Sequence, residues 1–298
     1  MIGAVDIGGT KIAVGMLTPL GKILARAECP AYPERGLQSG LERIFTLLRE
    51  TAREAGGKLE GIGVGCTGPV NPLTGTLERI EFLPDWEGCP LTAELQNAFG
   101  VTAFLENDAD AAALGELAWG AGKDAKRFIY VTVSTGIGGG LVFDGCLYRG
   151  VEGAHPEIGH HVIDPSGPPC FCGAHGCWES LASGLALARR GGLRSALAVC
   201  QAAERGEPTA RLAVEQEALY LGLGFANLVT LFTPDVIAVG GGVMNSRQLF
   251  WDKILQTIRE NCGLVPFEKT HLFPANLGAD AGLAGAAQVW IKGVQIYA

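Results

Sequence analysis

The sequence predicts an α/β protein built as two lobes, and three features of its 298 residues carry that expectation. Short apolar, β-rich runs lead into amphipathic helical stretches in the order β-β-β-α-β-α, with helices and strands again in the second half, a pattern that builds α/β layers. Two glycine turns, one in each expected lobe, join pairs of strand-like runs. Glycine is abundant: 44 residues, against a usual share of about 7%, with no three-residue collagen period. With 48% hydrophobic and 18% charged residues, this is a well-packed chain with many sharp turns. Two domains are expected: a small lobe over 1–108, joined by a C-terminal helix at 280–298, and a larger lobe over 109–279.

The elements follow from local pattern. Ile2–Ile7 and Lys11–Leu17 are apolar strands joined by Gly8-Gly9-Thr10, and a third strand is expected over Lys22–Cys29. From Leu37 to Glu54, Leu41, Ile44, Phe45, Leu47 and Leu48 alternate with Glu and Arg as in an amphipathic helix, which Gly56-Gly57 ends. Ile62–Cys66 reads as a strand, Gly68-Pro69 and Asn71-Pro72 as loop, Leu91–Phe99 as a short helix and Val101–Leu105 as a strand. A helix then starts at Asn107 or Asp108 and runs to about Trp119, followed by a hairpin of Phe128–Val133 and Ile137–Phe143. Gly150 to Trp178 has no periodicity, and so long a loop in a compact domain needs a function or a staple. Helices are expected at Glu179–Arg190, Ser195–Arg205 and Pro208–Phe232, then a strand at Val236–Val239, a helix around Ser246–Asn261, a strand near His271 and a last helix at Asp280–Ile291.

Several classes are disfavoured. The net charge is −8 and no basic run occurs, so a nucleic-acid partner is not expected. Asp6 and the Gly-Gly pair in the first ten residues do not fit a secretory signal. The uncharged stretch Ala218 to Pro234 falls short of a membrane span and reads as a buried helix. A cytoplasmic protein without membrane contact is expected. Nine cysteines make a disulfide framework improbable, and the six scattered ones read as small buried hydrophobes.

Three glycine segments suit phosphate. In Asp6-Ile7-Gly8-Gly9-Thr10-Lys11, backbone N–H groups can form an anion nest. There the Asp6 carboxylate could hold Mg²⁺ through water, while Thr10 and Lys11 reach phosphate oxygens. Ser134-Thr135-Gly136-Ile137-Gly138-Gly139-Gly140 repeats the strand–turn–strand pattern, and its glycines weaken a strand by about 0.5–1 kcal/mol each relative to Ala. Close approach to a phosphate chain would offset that cost. Gly240-Gly241-Gly242 ends a strand and suits an adenosine or its α-phosphate. Each of the three also has a plain reading as a turn. No Walker-type G-x-x-x-x-G-K-S/T exists, and Leu141 stands where the Rossmann fingerprint needs glycine.

Glu106-Asn107-Asp108-Ala109-Asp110 places carboxylates at the mouth of a helix. Asn107 could serve simply as its cap. Asp108, beside the helix N-terminus, would stay ionised, and a weak base suffices for phosphoryl transfer because its loose transition state needs orientation and late proton acceptance. His155-Pro156-Glu157-Ile158-Gly159-His160-His161 and Cys170-Phe171-Cys172-Gly173-Ala174-His175-Gly176-Cys177 form the last cluster. One His and three Cys fit a closed tetrahedral zinc site that leaves no position for water, so the zinc would be structural. His161 or His175 could replace His160 as the nitrogen ligand, and metal-free thiols are the plain alternative.

Two strand–turn–strand phosphate loops in separate expected lobes resemble the sugar kinase, Hsp70 and actin group of ATPases, an actin-like/ribonuclease H-like fold. Taken together, Asp6–Lys11, Glu106–Glu116, Ser134–Gly140, Glu157–His160, Cys170–Glu179 and Gly240–Gly242 resemble the ROK family, the repressor, open-reading-frame and kinase group that contains bacterial glucokinases. The E-I-G-H segment followed by C-x-C-G-x-x-G-C-x-E is the specific part. The resemblance implies Asp108 as the base for the sugar 6-hydroxyl, with Gly68, Asn107, Glu157, His160 and Glu179 binding the sugar. It implies Mg-ATP on Asp6, Gly8, Gly9, Thr10, Lys11, Thr135, Gly136, Gly138, Gly139, Gly140, Gly240 and Gly241, and zinc on His160, Cys170, Cys172 and Cys177. His160 would then have two roles, one ring nitrogen on zinc and the other facing the sugar. Asp110 departs from a frequent E-N-D-A-N pattern. Phe82-Leu83-Pro84-Asp85-Trp86 departs from a Pro-Asn pair in a loop that helps select the sugar.

The expected function is an ATP-dependent hexokinase, glucose foremost, acting as a homodimer. An N-acetylmannosamine or N-acetylglucosamine kinase is the alternative. A non-catalytic sugar-sensing regulator is a third reading, which the presence of Asp6, Asp108 and both phosphate loops argues against. The DNA-binding repressors of the family carry a winged-helix domain ahead of the kinase body, and Asp6 lies too near the start of this sequence for one to be expected.

Overall fold

The structure is a computed structural model that describes residues 1–80 and 82–296, so the last two residues of the expected C-terminal helix lie outside the described residues. The first elements are β1 (Ile2–Ile7), β2 (Lys11–Leu17), β3 (Ile23–Pro30), α1 (Gly36–Ala55), β4 (Gly61–Cys66), β5 (Val70–Asn71), β6 (Thr76–Leu77), α2 (Leu91–Phe99), β7 (Thr102–Asn107) and α3 (Asp108–Trp119). They are followed by β8 (Arg127–Val133), β9 (Ile137–Phe143), β10 (Cys146–Leu147), α4 (Trp178–Ala182), α5 (Gly184–Arg190), α6 (Ala196–Glu204) and α7 (Pro208–Phe232). Last come β11 (Val236–Gly240), α8 (Trp251–Asn261), β12 (His271–Pro274) and α9 (Ala281–Ile296). Two compact units result: 1–124 with 140–148 and 276 onward, and 125–139 with 149–275.

The first unit is a sheet in the order β3-β2-β1-β4-β7, parallel across β1, β4 and β7. Alternation along β1 sends Val5 and Ile7 to one face and Ile2 and Ala4 to the other. The first face packs with Ile44, Leu48, Leu91 and Leu95 of α1 and α2, and the second with Leu283, Ala286 and Ala287 of α9. Each large apolar side chain buried there contributes about 1.5–3 kcal/mol relative to leaving it in water.

Strand β4 shows why this unit needs so much glycine. Ile62, Val64 and Cys66 fill the first face, while Gly61, Gly63 and Gly65 leave the other face bare. A methyl group on Gly63 would come within 1.7 Å of the Ala286 carbonyl oxygen, so α9 lies directly on the strand. Helix α3 follows the same logic. A methyl on Gly115 would meet the Gly285 nitrogen at 2.7 Å, and alanines occupy much of the rest of the contact.

In the second unit β8, β11 and β12 run parallel, in the order β8-β11-β12. The uncharged Ala218–Pro234 stretch lies mostly within α7, which carries many buried residues and packs against α4, α6 and α8. Gly222 and Gly224 serve close packing: they leave room for Thr257 of α8 and for the Trp178 indole, which stands edge-on to Phe225. No described helix is long and apolar enough to cross a membrane.

Three expectations are corrected. The helix expected over Glu179–Arg190 breaks at Ser183, whose extended backbone ends α4 and whose hydroxyl accepts from Ala186 N–H to cap α5. The helix expected from Ser246 is a 3-10 segment over Gly242–Leu249, and α8 starts only at Trp251. Cys66, Cys89, Cys200 and Cys262 are buried as expected of small hydrophobes, but Cys146 is exposed and Cys29 half-buried.

Candidate active site and metal centre

In the first unit the functional residues leave one edge of the sheet. The register pairs Ile7 with Cys66 and Cys66 with Asn107, so the turns after β1, β4 and β7 start side by side. The first turn is closed by Gly8 N–H donating to the Lys11 carbonyl, 2.9 Å. Lys11 Nζ lies 3.3 Å from Glu28, which Arg26 also contacts. These are exposed pairs, worth about 1 kcal/mol or less, that an incoming phosphate can displace.

Asp6, next to last in β1, lies on the face toward α9, and Gly282 leaves the room its carboxylate occupies. Burial raises its pKa to about 6, against the opposing pull of Lys11. An acid raised in the folded state contributes stability that is fully present below its unfolded pKa, near 4, and lost as the pH rises through about 6. Asp6→Asn should therefore gain stability over the parent protein between pH 4.5 and pH 7.5 in thermal melts. An equal difference at both pH values contradicts the burial argument.

Asn107 and Asp108 open α3. The Asn107 Oδ1 accepts from the N–H groups of Ala109 (2.9 Å) and Asp110 (3.3 Å), so the capping role is real. Its amide nitrogen faces Gly68, where a methyl group would come within 2.9 Å. The half-buried Asp108 accepts from Ala109 N–H at 2.8 Å, which fixes its carboxylate at the helix mouth. Farther along, the buried Glu116 carboxylate takes the N–H groups of Ala121, Asn276 and Leu277 and so ties the chain leading into α9 to the end of α3.

In the second unit Ile137, after the second glycine turn, is a meeting point. Its N–H donates to Glu179 Oε2 at 2.8 Å, and its carbonyl lies where a methyl on Gly159 would stand, 2.0 Å away. A methyl on Gly136 would come within 2.2 Å of the Glu179 carboxylate. The glycine turn, the Glu157–His160 turn and Glu179 are thus brought together. That Glu179 holds the glycine turn has no local sequence signal, because the two lie 42 residues apart. Gly184 N–H donates to the Ser134 carbonyl at 2.7 Å, setting the start of α5 on the same turn. Gly241, at φ 92°, packs on Val133, so the third glycine segment lies at the end of β8 as well.

His160, Cys170, Cys172 and Cys177 bring their ligand atoms within 4.8 Å of one another. Cys172 and Cys177 sulfurs lie 3.6 Å apart, and Cys170 Sγ is 3.4 Å from His160 Nδ1. A tetrahedron with Zn–S of 2.3 Å has S···S edges of about 3.8 Å, so the donor set fits zinc. Neither alternative nitrogen ligand belongs to the group: the His161 ring turns to the Ile158 carbonyl and stacks obliquely on Trp178, and His175 is exposed. His160 directs Nδ1 at the cysteines, with Phe171 edge-on to its ring.

The ROK family pattern matches residues 2–293. The glucokinase of Thermotoga maritima is 32% identical over 96% of this chain and 95% of its own. A ROK hexokinase from Thermus thermophilus superposes with a TM-score of 0.88 at 36% identity, covering 99% of both chains. A ROK family glucokinase from Streptomyces griseus, solved with glucose and AMPPNP, superposes with a TM-score of 0.83 at 32% identity, over 97% of this chain and 98% of that one.

Proposed function

The chain belongs to the ROK family, and from that premise we propose that it is a sugar kinase that transfers the γ-phosphate of Mg-ATP to the 6-hydroxyl of a hexose, glucose first. The observation that carries the reading is Asp108, held at the mouth of α3 beside the turn that follows β4. The sugar O6–H gives its proton to the Asp108 carboxylate as the O6–Pγ bond forms and the bond from Pγ to the ADP oxygen breaks. Asn107 offers its amide N–H₂ to a sugar hydroxyl, since its oxygen is committed to the helix cap. Gly68, Glu157, His160 and Glu179 complete the hydroxyl-binding set.

The nucleotide is assigned to Asp6, Gly8, Gly9, Thr10 and Lys11 in the first unit, to Thr135, Gly136, Gly138, Gly139, Gly240 and Gly241 in the second, and to Gly140. Backbone amides and Mg²⁺ supply the positive potential that a net charge of −8 does not. Because Glu179 also holds Ile137 N–H, a sugar on Glu179 is coupled to the second phosphate turn. When bound, zinc closes the loop over 155–179 and fixes the His160 tautomer, leaving Nε2–H as a donor. The same reading includes a cytoplasmic homodimer.

The test is a coupled assay of ADP release across glucose, mannose, fructose, allose, N-acetylmannosamine and N-acetylglucosamine. The highest kcat/KM is expected on glucose. Preference for an N-acetyl hexosamine would move the substrate assignment, and no turnover on any sugar would favour the regulator.

A further inference from the structure

Helix α4 has five residues, too few to hold a place of their own, yet it presents Glu179, which accepts from Ile137 N–H and is assigned to the sugar. Its two ends are anchored on α7 by different means. At the start, the Trp178 indole N–H donates to the Tyr220 carbonyl at 3.0 Å. At the end, where a helix leaves its last carbonyls unpaired, Arg190 donates from Nη2 to the Leu181 carbonyl. The other arm of the same guanidinium, Nη1, donates to Glu217 Oε2 of α7 at 2.8 Å. The guanidinium also lies 5.5 Å from the centre of the Tyr220 ring, within cation–π range. Arg190 therefore ties α4 to α7 from the last residue of α5.

Glu217 is costly in the middle of α7. Its side chain is wholly buried, and Oε1 has no hydrogen-bond partner among the described residues. Such a pair adds little stability, since desolvation offsets the attraction and an apolar pair would pack at less cost. What it supplies is direction: a planar fork with one arm fixed on α7 sets where the other arm holds α4. Glu179 stands between the two anchors, next to Trp178 and two residues before Leu181.

We propose that Arg190, held by Glu217, is a positioning residue for Glu179, fixing α4 so that the Glu179 carboxylate meets both the second phosphate turn and the sugar. The inference rests on the hexokinase reading and on the place of Glu179 in it. Arg190→Met keeps the apolar stem and should raise KM for glucose about tenfold, the order of one lost charge-assisted hydrogen bond. In a Glu179→Gln background the same substitution should change KM by less than about twofold, because the group it acts through is already impaired. Glu217→Gln keeps an oxygen for Arg190 and should stay within about twofold of the parent KM. Thermal melts identify the folded variants. Should Arg190→Met not fold, Arg190→Lys keeps a cation beside Glu217 but loses the fork, and takes its place in the cycle with a rise of about threefold.

Equal rises in KM with and without Glu179→Gln would overturn the proposal, because Arg190 would then act independently of Glu179. So would a parent-like KM for glucose in folded Arg190→Met protein that only melts earlier, the mark of a purely structural pair. Absence of hexose phosphorylation in the parent protein is a different outcome, and it refutes the hexokinase reading on which this one stands.

Discussion

Replacing Asp108 with Asn should lower kcat about a hundred- to ten-thousand-fold, the range for losing a general base, while glucose still binds measurably by calorimetry. The asparagine keeps the size of the side chain and can still accept from Ala109 N–H as the aspartate does at 2.8 Å, so α3 should start where it does now. What it loses is the oxygen that takes the proton. Asp108→Ala should match it in rate. Turnover near the parent value in either variant contradicts the base assignment, and loss of sugar binding together with turnover would make Asp108 a binding group instead.

The second large effect concerns the metal. Purified protein should contain about one zinc per chain, as four ligands on one ion require. Cys177→Ser should release it and lower the melting temperature steeply, since structural zinc contributes about 10 kcal/mol or more of binding energy to small folded sites. His160→Ala should weaken both zinc retention and glucose affinity, because Nδ1 faces the cysteines and Nε2 is assigned to the sugar. A change in only one of the two removes the dual role. Fully active protein that carries no metal refutes the zinc site.

Much of the site was legible because its chemistry demands particular residues in short order. The Cys170-x-Cys172 pair and Cys177 lie close in sequence to three histidines, so spacing pointed to a common ion with His160, His161 or His175 open as the nitrogen ligand, and it is His160 that the fold brings to the three cysteines. The Gly8-Gly9 turn and the capping position of Asn107 were equally local. What escaped depends on distant partners. The Gly61, Gly63 and Gly65 alternation reads as a weak strand until α9, more than two hundred residues later, lies on it. Glu179 looked like a sugar ligand alone, and its bond to Ile137 N–H could come only from the folded turn. The break at Ser183 did leave a signal: a serine before glycine is a helix cap, but the apolar period across it masked the boundary.

Phosphorus NMR of the protein with glucose and Mg-ATP follows the phosphoryl transfer itself. The γ-phosphate signal of ATP should be replaced one for one by a phosphomonoester on the glucose 6-oxygen, with ADP formed equally. Inorganic phosphate should stay negligible. ATP left intact, or hydrolysed to inorganic phosphate whether or not glucose is present, would contradict that transfer.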